Sequence, residues 1–279
     1  MNRIASAPTE VLSPQIVRGR LRHALFDFDG TLSVIREGWE RIMAPLMVEV
    51  IAGEAGDPGG SIRREVDAYV DESTGVQTIL QMDWLAHAVA RRRGPNQALS
   101  AEAYKAIYNE RLLIPVRERL RRLERGEVTR EDLMLAGAED FLRRLTDRGL
   151  TLYLASGTDE EHVLHESAAL GVARYFRGGI HGAQGASRVE SKGKVIRWIL
   201  ESHQLEGPEL LVVGDGPVEI REGKARGAVA LGVASDEARR RGLNPRKRDR
   251  LAKAGADLII PDFATCDELL ALLFPGSES

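Results

Sequence analysis

Short, mainly apolar runs separated by helix-patterned stretches constrain this chain more than any other feature. The runs fall at residues 24–28, 150–155, 210–213, 228–233 and 258–260. A mainly apolar run of this length, without regular polar alternation, suits a strand buried on both faces. The segments between them read as helices rather than tight hairpin turns. Residues 138–148 stop at Gly149, a helix C-terminal signal, and residues 194–203 carry Val195, Ile196, Trp198 and Ile199 as a face for the sheet. Strands joined by helices require parallel crossovers, so the expected fold class is α/β, a doubly wound (Rossmann-like) parallel sheet.

The spacing between the first two runs is too long for one crossover. Residues 39–52, 61–70, 79–93 and 100–125 place apolar side chains three and four apart, which predicts four helices burying one face each, with GEAGDPGG at 53–60 as a loop. The expectation is an inserted helical cap at 35–136 and a Rossmann-like core made of 1–34 and 137–279.

Charge excludes some partners. The chain has 39 Lys plus Arg against 42 Asp plus Glu, a net −3, which argues against a dedicated nucleic-acid binder. The single cysteine, Cys266, has no partner for an intramolecular disulfide or a thiolate metal cluster and reads as a small buried residue. The first twenty residues hold no signal-peptide core, and no stretch approaches the ~18 apolar residues of a membrane span. The expected setting is cytoplasmic, away from membranes. Nothing in the sequence bears on the oligomeric state. Only six of the 39 basic residues are lysines (105, 192, 194, 224, 247, 253), which makes each of them informative.

The first run leads into Asp27-Phe28-Asp29-Gly30-Thr31-Leu32. Two carboxylates just past a strand end can both point into the crevice at the carboxyl edge of a parallel sheet, where such folds bind ligands. This motif resembles the first motif of the haloacid dehalogenase-like hydrolase superfamily, Asp-x-Asp-Gly-Thr, and the resemblance continues in order along the chain. Ser156-Gly157-Thr158 ends the second strand, as in the second motif, and Gly214-Asp215-Gly216-Pro217-Val218-Glu219 resembles the acidic fourth motif. The third motif is a lysine opening a helix. Lys192 lies 23 residues before Asp215, the spacing of the phosphoserine-phosphatase-like branch, and Lys194 reads as solvent-facing on the same helix.

The resemblance implies a Mg²⁺-dependent phosphatase acting on a small phosphorylated metabolite, a sugar phosphate or a phosphoglycolate-like ester, through an aspartyl-phosphate. It implies Asp27 as nucleophile, Asp29 as acid and base, and Ser156, Gly157 and Lys192 with Asp27 around the phosphoryl group. Asp27, the Asp29 backbone carbonyl and Asp215 would hold Mg²⁺. Where the fourth motif commonly has a second Asp, this chain has Glu219, which leaves open a contact to metal-bound water or to Lys192. An acid at 29 favours phosphate chemistry over dehalogenation, because halide departure needs no proton. A Schiff-base cap lysine is unexpected, since the first lysine is Lys105. A β-phosphoglucomutase-like phosphomutase and a non-catalytic phosphate-binding protein remain as alternatives.

Other segments carry expectations. Residues 71–78, DESTGVQT, read either as a substrate-facing cap loop or as a helix start capped by Ser73 or Thr74. His162 and His165 read as exposed helix residues. Gly178, Gly179, Gly182 and Gly185 read as a mobile connection to Lys192, and the basic run from Arg239 to Arg250, Lys247 included, as a solvated face.

Overall fold

In a computed structural model of the chain, residues 9–185 and 191–276 are described. A seven-stranded sheet runs through the centre in the order β1-β7-β6-β5-β2-β3-β4. Its members are β1 (Glu10–Val11), β2 (His23–Phe26), β3 (Thr151–Asp159), β4 (Gly179–Ala183), β5 (Leu210–Gly214), β6 (Val229–Val233) and β7 (Leu258–Ile260). All neighbours pair parallel except β1, which adds antiparallel to β7 at the edge. This is the doubly wound α/β class expected. The two strands that the apolar pattern did not announce, β1 and β4, are both edge strands.

Residue alternation explains the layers. Phe26, Leu152, Leu154, Leu211 and Val213 pack on one face with Phe141, Leu142 and Leu145 of α5 (Ala138–Asp147). Leu25, Tyr153, Leu210 and Val212 turn to the other face, against Val195, Ile196 and Ile199 of α7 (Ser191–Ser202). Trp198 departs from expectation: it is 45% exposed, edge-on to Tyr153, His181 and His203 rather than inside the sheet packing. The remaining crossovers are α6 (Glu160–Ala169), α8 (Pro217–Lys224) and α9 (Pro245–Ala254), and α10 (Cys266–Leu273) follows β7.

The glycine-rich stretch is a strand, not a mobile connection. A Cβ at Gly178 would lie 2.2 Å from the Tyr153 ring, and one at Gly182 would lie 2.3 Å from Glu160 Cα. Glycine lets β4 press against β3 and the start of α6. The onward connection, 186–190, lies outside the described residues.

Between β2 and β3 stand α1 (Glu40–Ala52), α2 (Ser61–Glu72), α3 (Thr78–Arg93) and α4 (Ala101–Glu124). Their apolar faces, among them Met43, Met47, Val66, Met82, Leu85 and Leu112, join the same continuous core as Phe26 and Phe28.

The sheet fixes where chemistry can sit. β2 lies between β3 and β5, with Phe26 level with Leu154 on one side and Val213 on the other. The residues following these three strands therefore emerge together at one edge, at the switch point where crossovers leave in opposite directions. β3 also shifts register between Ala155 and Asp159, an irregularity of the kind that re-aims side chains.

At the opposite end of β2, His23 is buried with Nδ1 3.2 Å from the Tyr153 hydroxyl, which is 2.7 Å from His203 Nε2. Burial lowers the His23 pKa to about 4, and the nearby His203 adds to the effect. An unfolded histidine titrates near 6.5, at ~2 pH units higher, so the unfolded state takes up this proton first. The contribution of neutral His23 is complete above that pH and is lost as pH falls toward 4. Denaturant unfolding should show the stability advantage of wild type over His23→Asn shrinking by about 2 kcal/mol from pH 7 to pH 4. A gap independent of pH contradicts the assignment.

Candidate active site

Asp27 follows β2 and is 5% exposed, its backbone N–H donating to Val213 O at 2.8 Å. Its Oδ1 is 2.9 Å from Lys192 Nζ, and Thr31 Oγ1 lies 3.5 Å from its Oδ2. Lys192, at the start of α7 and 1% exposed, also donates to Glu219 Oε2 at 2.8 Å. Glu219, in the first turn of α8, accepts the Gly216 N–H on Oε1 at 2.8 Å, so its carboxylate orients Lys192 with one oxygen and caps the helix with the other. Burial would lower the Lys192 pKa, but Asp27 and Glu219 outweigh it and hold the ammonium charged. For Asp27, burial dominates and pushes the carboxyl well above the usual range, with Glu219 and Asp215 adding to the rise and Lys192 opposing it.

Asp29 faces Asp27 across the same crevice. Thr158 Oγ1 donates to its Oδ2 at 2.9 Å, and Ser156 Oγ lies 3.5 Å from the same oxygen. Its Oδ1 is buried with no hydrogen bond; Arg36 Nε stands 3.9 Å away. Burial raises the Asp29 pKa to about 6 against the pull of Arg36. Ser156 Oγ also accepts the Thr158 N–H at 3.1 Å, which curls the end of β3 around the site.

Asp215 follows β5. Burial pushes its carboxyl up, but Lys247 and Arg250 outweigh that and hold it below the usual carboxylate range. Lys247 Nζ donates to Asp215 Oδ2 at 2.7 Å and also pairs with Glu237. This corrects the solvated reading of the basic run: Arg246 is exposed, whereas Lys247, next to it on α9, is buried. Lysine scarcity was the available signal, since Lys247 is one of only six. Arg250, one turn of α9 beyond Arg246, donates to Asp215 O at 3.1 Å, to Asp71 Oδ1 at 2.8 Å and to Thr74 Oγ1 at 3.0 Å. It thus ties the 71–78 segment to the loop after β5. Lys194 is exposed, and so is His165, while His162 is half-buried.

The segment 71–78 lines the crevice and does not cap α3 through Ser73 or Thr74. Gln77 is the N-cap of α3 and makes no side-chain cap bond, so neither Ser73 nor Thr74 caps that helix. Thr74 Oγ1 is turned back to Val70 O at 3.2 Å, Ser73 Oγ accepts from Gln81 Nε2 at 3.0 Å, and Thr74, Gly75 and Val76 line the pocket. Gly75 has φ +86°, and a Cβ there would lie 2.9 Å from Glu219 Oε2 and 3.2 Å from Lys192 Nζ. The loop sits directly on the buried pair. The pocket beneath it is open to solvent and is reached by Asp27, Asp29, Ser156, Gly157 and Asp215 from the sheet edge.

The donor set suits a hard divalent cation. One oxygen from each of Asp27, Asp215 and Glu219 lies within 4.8 Å of the others. Carboxylate oxygens are the ligands Mg²⁺ takes. Both Glu219 oxygens already accept hydrogen bonds, so Asp27 and Asp215, each with one oxygen free of a lysine, are the better placed ligands.

The site and sheet define a class. The model of the haloacid dehalogenase-like hydrolases matches residues 21–227, and the chain belongs to that family of enzymes. Its fold is similar to that of a predicted phosphatase from Clostridium acetobutylicum, at 16% identity, TM-score 0.60, over 91% of this chain and 100% of that one. A predicted phosphoglycolate phosphatase from Haemophilus somnus aligns at 17% identity and TM-score 0.57, over 90% of this chain and 98% of the other. A β-phosphoglucomutase from Clostridium difficile aligns at 13% identity and TM-score 0.56, covering 88% and 92%. At these identities the likeness is one of fold. A search of curated proteins finds no match. No helix among the described residues is long and apolar enough to cross a membrane.

Sequence reasoning missed Thr158, Arg36, Glu166, Lys247 and Arg250. The role of Lys247 is testable by stability. Lys247→Met leaves Asp215 and Glu237 buried without their shared cation and should lower unfolding free energy by about 3–5 kcal/mol. Arg246→Ala, on the exposed side of α9, should stay within about 0.5 kcal/mol. Equal effects in urea titrations would show that Lys247 is not the buried counter-ion.

Proposed function

We propose that the protein is a Mg²⁺-dependent phosphatase that hydrolyses a small phosphomonoester through a phosphorylated Asp27, with residues 35–136 acting as the cap over the crevice. The observation that carries this reading is the pairing of Asp27, held against Lys192, with a second, partly buried carboxyl, Asp29, whose pKa is raised to about 6. A carboxyl that keeps its proton more readily than usual suits an acid working near neutral pH.

In the first step an Asp27 oxygen attacks phosphorus, the ester P–O bond breaks, and the Asp29 proton passes to the departing alcohol oxygen. Thr158 keeps the Asp29 carboxyl turned toward that oxygen. In the second step Asp29, now a carboxylate, takes a proton from water as the water attacks the aspartyl-phosphate, releasing phosphate and restoring Asp27. Lys192, Ser156 and the Gly157 backbone N–H hold the phosphoryl oxygens, where their charge and dipoles stabilise the transition state. Asp27, Asp215 and the Asp29 carbonyl would hold Mg²⁺, which supplies positive charge against that developing on the phosphoryl oxygens. Glu219 would act on the site through Lys192. The cap loop 71–78 would exclude water from the crevice.

A Schiff-base route finds no support in Lys105, which pairs with Asp159 and does not line the pocket. Retention of both aspartates also fits a phosphomutase, so product identity matters. Phosphate release from a panel of phosphomonoesters should require Mg²⁺, stop with EDTA, and disappear in Asp27→Asn while that variant unfolds cooperatively. Asp29→Asn should lose about 10²–10⁴-fold in rate. Full activity of Asp27→Asn sinks the mechanism, and isomer interconversion without net phosphate release replaces hydrolase with mutase.

A further inference from the structure

The part of the pocket beyond the carboxylates must receive the alcohol portion of the ester. Among the described residues lining the pocket, Arg36 is the one cation. Its charge is already committed. Nε and Nη2 donate to Glu166 of α6 at 2.6–3.2 Å, and both side chains are buried, Arg36 at 6% and Glu166 at 1% exposure. Drawing Arg36 away to meet an anionic substrate would strand Glu166 as a buried, unpaired charge. Leaving the pair intact presents a net neutral wall, and an anion there meets no free counter-ion among the described residues that line the pocket. The rest of the wall has different chemistry. The hydroxyls of Thr78 and Tyr108 have no protein hydrogen bond among the described residues, and they share the pocket with the Trp39 ring.

We propose that this pocket selects phosphate esters of neutral, polyhydroxylated alcohols, sugars or polyols, and rejects esters whose alcohol part carries a carboxylate or a second phosphate. The selectivity device is the Arg36–Glu166 pair, and the inference rests on the phosphatase reading above. It separates the two substrate kinds that the motifs leave together.

The test compares glycerol phosphate with phosphoglycerate, in which a carboxylate replaces a CH₂OH group. Wild-type kcat/KM should favour glycerol phosphate by at least about tenfold. Glu166→Gln frees the Arg36 charge and should shift that ratio toward phosphoglycerate by about tenfold. The Arg36→Met, Glu166→Met double variant removes the pair as a unit and should keep the wild-type order. Equal or better use of phosphoglycerate by wild type overturns the proposal, as does a folded Glu166→Gln with an unchanged ratio. If Glu166→Gln fails to fold, the double variant decides, and a preference for phosphoglycerate there is fatal. No phosphate release from either ester or from p-nitrophenyl phosphate is a failure of the phosphatase reading instead. In that event calorimetric affinities of the two esters for Asp27→Asn still report the selectivity.

Discussion

The rest of the molecule depends on one constraint: carboxylates crowded into low dielectric at the carboxyl edge of three central strands. Asp27, Asp215 and Glu219 are each no more than 5% exposed. Unpaired, such charges would cost several kcal/mol apiece. Two lysines from different parts of the chain answer them, Lys192 at the start of α7 between Asp27 and Glu219 and Lys247 in the first turn of α9 beside Asp215, while Arg36, from the entry to the inserted helices, stands 3.9 Å from Asp29. The placement of two crossover helices and the entry to the inserted helices is thus linked to charge balance at one edge. The raised carboxyl of Asp27 and the lowered one of Asp215 show that the balance is uneven. Three acids share two lysines there, which is the condition in which a divalent cation adds stability.

How much of this the sequence exposes depends on whether the determinant is local. The five apolar runs became β2, β3, β5, β6 and β7, because burial on both faces requires contiguous apolar residues. The four helices between β2 and β3 matched their predicted spans within a few residues, because a helix face repeats every turn. Asp27, Asp29, Ser156, Lys192 and Asp215 were legible through motif order and spacing. The pairs that organise them were not. Arg36 and Glu166 are 130 residues apart, and Arg250 reaches Asp71 across 179. A side chain's partner at such separation leaves no periodic trace. β4 was missed for a related reason: its glycines record the close approach of Tyr153 and Glu160, a tertiary fact, rather than a turn.

The 71–78 loop shows how the inserted helices and the core act as one body. Their apolar residues form a single core cluster with the sheet, so the loop rests on a packed base. Arg250 then joins Asp71 and Thr74 to the Asp215 carbonyl, and Arg250 Nε is buried without a partner. Any opening of the loop must therefore break the Arg250 hydrogen bonds to Asp71 O, Asp71 Oδ1 and Thr74 Oγ1, while the bond to the Asp215 carbonyl stays with the core. Opening also exposes the Lys192–Glu219 pair that Gly75 covers.

Glu219 is where the chain departs from the common pattern of its family, and the surrounding backbone records the change. Its carboxylate spans from Lys192 Nζ to the Gly216 N–H, both at 2.8 Å. An aspartate, one methylene shorter, cannot make that span from the same position on α8. The longer side chain needs room. A Cβ at Gly214 would lie 2.1 Å from Glu219 Oε1, and one at Gly216 would lie 3.1 Å from it. The two glycines flanking Asp215 are therefore the complement of a glutamate at 219, along with Gly75 above it. With both oxygens engaged, Glu219 governs the direction of Lys192 and the start of α8. Asp27 and Asp215 remain as the carboxylates with an oxygen free of a lysine, while Glu219 fixes Lys192 beside Asp27.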